Sequence, residues 1–382
     1  MHRNSLLELN AAGQSVWLDN LTRGAILGGG LDRLVSEDGL SGVTSNPTIF
    51  KNAMTSSADY DEQIQELAAS GKSAGEIYEA LAITDIRGAA DILRPVYDRT
   101  QGTDGFVSLE VSPHLANDTQ RTIDEAARLW KAVARPNIFI KIPGTQPGVP
   151  AIEACLARGI NINITLLFGI DAHRQVIEAY WRAMETRLAA GQPLEQVASV
   201  ASYFLSRIDV KVDKKLDEMA AGGENAAEAK ALRARTAVAN AKLAYAMWKE
   251  MHAAERWQKL ARAGARVQKT LWASTSTKDP SLSDVKYVEA LIGSHTINTL
   301  PDETIAAFRD HGRVAATLEQ GLADERAVID RLRKLGIDID RVTAELVDEG
   351  IDKFVKPFDE LQAALAAKRQ AALANKTPAH RS

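Results

Sequence analysis

The chain has a single cysteine, Cys155, in 382 residues, so no intrachain disulfide can form. It has no excess of positive charge. With 46 basic and 50 acidic residues the formal net charge is −4, which gives no footprint for nucleic acid or an anionic membrane surface. No apolar run approaches the roughly 20 residues of a spanning helix. The start, from Met1 to Glu8, carries no apolar segment long enough for a signal peptide. These absences predict a soluble, cytoplasmic protein. The seven histidines have no metal-binding spacing. Gly71-Lys72-Ser73 ends like a phosphate loop, but Glu66 stands where that motif needs glycine, and Gly28-Gly29-Gly30 completes no dinucleotide fingerprint. No internal repeat is present. Neither a metal nor an organic cofactor is indicated.

What remains is ordinary globular composition, 45% hydrophobic and 25% charged, with ample length for a large core. Eight short β-like runs follow one another: residues 15–19, 42–45, 105–111, 137–142, 160–167, 198–204, 268–274 and 296–300. Amphipathic helical patterns separate most of them. Val176, Tyr180, Met184 and Leu188 are expected on one helical face, and Ile208, Val212, Leu216 and Met219 on another. Strand–helix alternation of this kind predicts parallel βαβ units, and eight of them predict an α/β fold, a (β/α)8 TIM barrel. Two helical additions exceed a minimal barrel: an Ala-rich insertion over about 222–264, before the seventh strand, and a C-terminal region over about 311–367. The expected organisation is one barrel over 1–367 and a frayed or disordered tail over 368–382. The apolar faces of the extra helices leave room for a homo-oligomer.

One charge is out of place. Lys141 lies in Asn137-Ile138-Phe139-Ile140-Lys141-Ile142-Pro143, where the other side chains from Ile138 to Ile142 are apolar. Such a run reads as a strand buried on both faces. Burying an ammonium is costly, so the group pairs, snorkels or gives up its proton, and a neutral amine is what Schiff-base chemistry needs. Polar residues also punctuate the other strands at the end where barrel active sites assemble. They are Asp19, Asn46, Glu110, Asn163, Thr165, Ser202, Arg207, Ser274, Ser276 and Lys278. Each has a plain alternative. Asp19 and Asn46 suit a cap or turn, Glu110 a structural ion pair with Lys141, Arg207 an exposed helix start, and Ser274 to Thr277 a capping loop. Cys155 reads as a packing residue on a helix.

The motifs together resemble transaldolase, in its longer bacterial form with an extended helical insertion. The resemblance spans nearly the whole chain. It is carried by Trp17-Leu18-Asp19, Gly42-Val43-Thr44-Ser45-Asn46-Pro47-Thr48-Ile49-Phe50, Ser108-Leu109-Glu110-Val111, Ile140-Lys141-Ile142-Pro143-Gly144-Thr145, Asn161 through Phe168, Leu271 through Lys278, and Thr296 through Pro301. It implies a metal-independent class I aldolase-type barrel of the pentose phosphate pathway. Such a transferase moves a dihydroxyacetone unit from sedoheptulose 7-phosphate or fructose 6-phosphate to glyceraldehyde 3-phosphate or erythrose 4-phosphate.

By the same resemblance, Lys141 forms the Schiff base and Asp19 removes the donor's C4 hydroxyl proton. Glu110 and Thr165 hold a proton-shuttling water. Asn46, Asn163 and Ser202 bind the dihydroxyacetone hydroxyls, and Arg207 and Ser274 bind phosphate. Short-form members carry a second arginine where Ser276 stands here, and Lys278 is the candidate replacement. One difficulty follows from elementary chemistry. Only about 1 in 2,500 amines of ordinary pKa is neutral at pH 7. Desolvation by Ile140 and Ile142 therefore has to win over Glu110 and Asp19 if these are ionised. A fructose-6-phosphate-type aldolase that releases free dihydroxyacetone is the competing enzyme. A catalytically silent binding or scaffold barrel is the competing class.

Overall fold

Every residue from Ile138 to Pro143 is buried, as a strand covered on both faces requires. The computed structural model describes residues 4–223 and 225–374, and the eight expected runs are all strands in it. They are β1 (Gln14–Leu18), β2 (Gly42–Val43), β3 (Phe106–Glu110), β4 (Ile138–Pro143), β5 (Ile162–Leu167), β6 (Ser199–Phe204), β7 (Lys269–Ala273) and β8 (Thr296–Leu300). Each pairs in parallel with the next, and β8 closes onto β1 through Trp17↔Thr299 and Leu18↔Leu300. With helices around the outside, this is a (β/α)8 barrel.

The pleat decides which side chains enter the barrel, because successive residues of a strand face opposite sides. Asn163 of β5 donates to Ser108 Oγ of β3 at 3.0 Å, across the intervening β4, so both point inward. The parity then assigns Glu110, Lys141, Thr165, Ser202 and Phe204 to the interior with them. The opposite parity, including Leu109, Ile140, Ile142, Ile164 and Ala201, is fully buried under the helices. A wide aromatic layer closes the barrel below, where Phe106 stacks on Phe139 at 4.3 Å and Trp17 lies 6.1 Å from Phe139. Gly42 is small of necessity there, since a Cβ would stand 2.2 Å from the Trp17 ring.

Between Ser206–Ala220 and β7 the insertion forms three helices, Ala226–Leu232, Thr236–Ala253 and Glu255–Arg262. It is tied to the barrel by polar bonds as well as packing. Asn240 Nδ2 donates to Phe168 O and to Tyr203 Oη, both at 2.7 Å, and Trp248 Nε1 donates to Gln268 O at 2.8 Å. The C-terminal helix Ile339–Ala374 runs across helices Pro47–Ser56, Asp61–Ala69 and Ala74–Arg99. It continues past the expected start of the tail: residues 368–374 are helical, with Lys368 Nζ on Asp61 Oδ1 at 2.8 Å and Arg369 Nε on Lys72 O at 2.6 Å. Those two cross-element bonds hold a stretch that composition alone reads as loose. The rest of the expected tail, 375–382, lies outside the described residues.

Three further expectations need correction or gain a reason. Val176, Tyr180 and Met184 are fully buried, but Leu188 is 45% exposed and Arg187 takes the inward position. Repeated steps of four drift around a 3.6-residue helix, leaving Leu188 about 120° from Val176. Ser73, in the stretch that ends like a phosphate loop, is the N-cap of helix Ala74–Arg99 in a capping box with Glu76. Cys155 is buried in helix Gly148–Ala157, and burial pushes its thiol up to about 12, away from reactivity. No helix among the described residues is long and apolar enough to cross a membrane.

Candidate active site

The register brings the charged strand ends together. Glu110 pairs in register with Lys141, and Lys141 with Asn163. Lys141 is 4% exposed. Its Nζ donates to Ser45 O at 3.1 Å and lies 3.4 Å from Glu110 Oε2. The ammonium thus has one good hydrogen bond and one long ion pair. Neither Glu110 oxygen accepts an aligned hydrogen bond from the described residues, and Thr165 Oγ1 is likewise buried and unpartnered. Three polar atoms with no hydrogen-bond partner among the described residues, behind the same lysine, are costly unless something small and polar joins them. The chain is also irregular there: the β5–β6 register shifts between Ile164 and Leu167, and Leu166 adopts φ 60°.

Asp19 follows β1 and accepts from Thr44 Oγ1 at 2.7 Å, and Thr44 in turn contacts Thr299 Oγ1 at 2.7 Å. Its own N–H is held by Leu300 O at 2.8 Å. Burial pushes the Asp19 carboxyl above its ordinary range, against the pull of Lys141, the Thr44 bond and Arg207, and Glu303 adds to the rise. Burial raises Glu110 as well, opposed by Lys141 and Arg207 and reinforced by Asp19. Both carboxyls therefore hold a proton more readily than free ones.

Asn46 performs its plain role, since Oδ1 caps helix Pro47–Ser56 through Ile49 N at 3.1 Å with Pro47 at the first turn. Its Nδ2 stays available to the site. Asn163 is more fully committed. Its Oδ1 accepts from Ser202 Oγ at 2.7 Å while Nδ2 donates to Ser108. Arg207 begins helix Ser206–Ala220 and is half-buried rather than exposed. Its guanidinium lies 5.2 Å from the Phe204 ring and 5.7 Å from Phe354, and Nη1 is buried with no partner among the described residues. Burial lowers its pKa, with Asp19, Glu110 and Glu349 working against that. Ser274 has φ 56°, uncommon for a residue with a Cβ, and is pinned by Ser206: N to Ser274 O at 3.1 Å and Oγ to Oγ at 2.8 Å.

A small inner cavity of about 80 Å³ is walled by Asp19, Thr44, Asn46, Lys141, Ser202, Phe204, Arg207, Ala273, Ser274, Thr299 and Phe354. It shares Asp19, Asn46, Arg207, Ser274 and Phe354 with an outer cleft of about 1080 Å³. Glu110, Asn163 and Thr165 stand behind the inner wall. Lys278 lies in the outer cleft, exposed, with Nζ on Ser276 Oγ at 2.6 Å. Lys211, Lys214, Lys215 and Lys353 line the same cleft, and Lys211 is already paired with Glu345 at 2.9 Å and with Glu349. The sequence reading missed Thr44 and Thr299, although strand parity points both inward. It also missed the Ser45 carbonyl and Phe354, for which no local signal exists.

The arrangement supplies an enclosed amine, two carboxyls with raised pKa, a hydroxyl network and an entrance lined by lysines interspersed with Glu218, Glu303, Glu345 and Glu349. The chain matches the family Transaldolase/Fructose-6-phosphate aldolase over residues 16–365. It is similar to Transaldolase 2 of Nostoc sp. strain PCC 7120, 48% identical over 371 residues, covering 96% of this chain and 97% of that one. It is also similar to the Transaldolase of Acidothermus cellulolyticus, 48% identical over 361 residues (94% and 95% of the two chains). A third relative, the Transaldolase of Saccharopolyspora erythraea, is 48% identical over 363 residues (94% and 97%).

Proposed function

The chain belongs to the transaldolase/fructose-6-phosphate aldolase family and has transaldolase function, and we propose that it moves a dihydroxyacetone unit from sedoheptulose 7-phosphate to glyceraldehyde 3-phosphate through a Schiff base on Lys141. The observation that carries this reading is the Lys141 amine, enclosed at the strand ends between Ser45 O and Glu110. A single buried thiol and phosphorylated substrates suit the cytoplasm.

In this reading Lys141 Nζ attacks the C2 carbonyl carbon of the donor. Glu110, with its carboxyl raised by burial, takes one proton from the Lys141 ammonium and so frees the amine to attack; the nitrogen passes a second proton to the C2 oxygen, giving the hydroxyl, and Glu110 returns the first as that hydroxyl leaves as water and the iminium forms. Thr165 Oγ1 and the two Glu110 oxygens, none of which has a hydrogen-bond partner among the described residues, are suited to hold that water. Asp19 accepts the C4 hydroxyl proton, the C3–C4 bond breaks, and the pair of electrons passes into the iminium. The aldehyde product leaves, and the bound enamine attacks the acceptor aldehyde while Asp19 gives the proton back. Asn46 and Ser202 line the inner cavity and suit the hydroxyls of the three-carbon unit. Asn163, whose amide ends are engaged by Ser108 and Ser202, acts on them by fixing Ser202.

The phosphate falls to Arg207 and Ser274, with Lys278 a further, exposed charge in the outer cleft. Arg207→Ala removes charge-assisted hydrogen bonds worth roughly 2–4 kcal/mol together, so kcat/KM for phosphorylated donors is expected to fall about 100-fold. Use of unphosphorylated ketoses should barely change; equal losses on both would remove the phosphate role. Lys278→Ala is expected to cost only about three- to fivefold, and that loss should shrink at high salt because the side chain is exposed. A salt-independent effect would point to Ser276 or the loop instead. The reaction class itself is tested by supplying fructose 6-phosphate with and without erythrose 4-phosphate. Sedoheptulose 7-phosphate should form with the acceptor and little dihydroxyacetone without it. Release at comparable speed in both cases would make the enzyme an aldolase.

A further inference from the structure

Phe354 lies on the C-terminal helix, outside every strand end, yet it touches both ends of the proposed reaction. Its ring centre is 5.6 Å from Lys141 Nζ and 5.7 Å from Arg207 Cζ. The residue is 3% exposed and forms part of the wall of both the inner cavity and the outer cleft. The helix is seated for this placement. One turn earlier Gly350 meets the barrel rim, where a Cβ would stand 2.9 Å from Leu166 Cδ2 and 3.6 Å from Arg207 Nη1. Leu166 is the φ 60° residue of the β5 irregularity, so the strand end and the helix meet at one point and the ring projects over the lysine.

We propose that Phe354 is a specificity-determining side chain that decides the fate of the three-carbon unit carried by Lys141. This deepens the transaldolase reading and rests on it. After the C3–C4 bond breaks, the Lys141 nitrogen carries an enamine whose nucleophilic atom is C3. In transfer, C3 attacks the acceptor's carbonyl carbon, a C–C bond forms, and the aldehyde oxygen takes a proton from Asp19. In release, C3 takes a proton instead, water adds to C2 of the resulting iminium, the C2–N bond breaks, and free dihydroxyacetone leaves the regenerated amine. Both routes end in the same addition of water at C2. The choice therefore lies in what reaches C3 first. A phenyl ring has no O–H or N–H to give, and it fills the space from which a water would protonate C3. Its face also favours the cationic iminium and the guanidinium, which holds the ring where it shields the enamine.

The test compares the parent enzyme with Phe354→Ala, Phe354→Tyr and Phe354→Leu. Two quantities are read: dihydroxyacetone released per acceptor converted from fructose 6-phosphate and erythrose 4-phosphate, and the borohydride-trapped adduct on the Lys141 peptide. The release-to-transfer ratio should rise about tenfold or more in Phe354→Ala, which admits water, and in Phe354→Tyr, which adds a hydroxyl. Phe354→Leu keeps apolar bulk and should stay within about twofold of the parent. The parent's ratio in both the Ala and Tyr variants would overturn the proposal. If the Ala variant does not fold, the Tyr and Leu pair decides on the same criterion. An absent adduct in the parent, with sugar demonstrably bound, overturns the Schiff-base reading itself; an adduct with unchanged ratios overturns only the role of Phe354.

Discussion

Lys141→Met should lower kcat/KM by about 10⁴-fold or more and abolish the borohydride adduct formed with fructose 6-phosphate. The size follows from the kind of step that is lost. A covalent nucleophile splits a difficult cleavage into two easier ones, and binding and positioning alone return only a small part of that acceleration. The phosphate contacts proposed for Arg207 and Ser274 do not involve Lys141, so donor binding should survive in this variant while turnover does not. Retention of more than about 1% of the parent's rate, or an adduct on another peptide, would remove Lys141 from the mechanism.

The same variant makes a statement about stability. Lys141 is the ion-pair partner of Glu110 at 3.4 Å, and removing one member of a buried pair typically costs roughly 3–5 kcal/mol when the other keeps its charge. Glu110 has a way out, because burial already raises its carboxyl and Lys141 is the largest influence opposing that rise. Without the lysine the carboxyl shifts further upward and takes a proton. A carboxyl whose folded pKa lies above its unfolded value contributes stability that is present below the unfolded value, about 4.5, and is lost as pH rises through the folded one. Lys141→Met should therefore match the parent near pH 5 and fall below it toward pH 8. Adding Glu110→Gln should erase that slope. Urea midpoints across this range provide the measurement, and a slope that persists in the double variant would place its origin elsewhere.

The barrel was legible because its signals are local. Each strand is a short apolar run, and the residue that interrupts it stands at the end where the sheet opens. Lys141 declares itself because four apolar neighbours make its charge anomalous. Strand parity then carries Glu110 and Thr165 inward with it, with no need for the partner strands. What stayed hidden depends on distance in the chain or on competition between polar groups. Asn163 and Ser202 look alike in sequence as candidate ligands for hydroxyls, but their mutual bond leaves Ser202 on the cavity wall and Asn163 behind it. Phe354 sits among Ile351, Val355, Phe358 and Leu361 in an apolar face whose period says only that it packs. That this ring meets the lysine depends on Gly350 and Leu166 fitting together, a tertiary fact with no periodic trace. Arg187 and Leu188 exchange places for a smaller reason, the accumulated phase of a helix read in steps of four.

His173→Leu should flatten the acid limb of the stability curve by about 4 kcal/mol at pH 3. His173 is fully buried on helix Ile170–Ala189, with its ring 5.7 Å from Tyr203, and neither ring nitrogen has a hydrogen-bond partner among the described residues. Burial, reinforced by His252, holds the imidazole down at about 3. A base whose folded pKa is depressed contributes stability that is present above its unfolded value, about 6.5, and is lost as pH falls toward the folded one. At about 1.36 kcal/mol per pH unit, the loss is about 2 kcal/mol by pH 5 and about 4 by pH 3, where the folded imidazole begins to take its own proton. Against a total of roughly 5–15 kcal/mol for a folded protein, this is a large share. Glu110 and Asp19 act with the opposite sign over part of the same range, so the parent's curve alone does not isolate the histidine. The difference between parent and Leu variant does, because the carboxyls are common to both. At pH 7 the variant should be near neutral, since removing two unpartnered nitrogens offsets a repacking cost of up to about 1.5 kcal/mol. Parallel curves from pH 7 to pH 4 would mean that the imidazole reaches a proton acceptor or solvent in the folded protein. In that case the acid sensitivity would belong to His252, which burial holds at about 4 beside the insertion's Trp248.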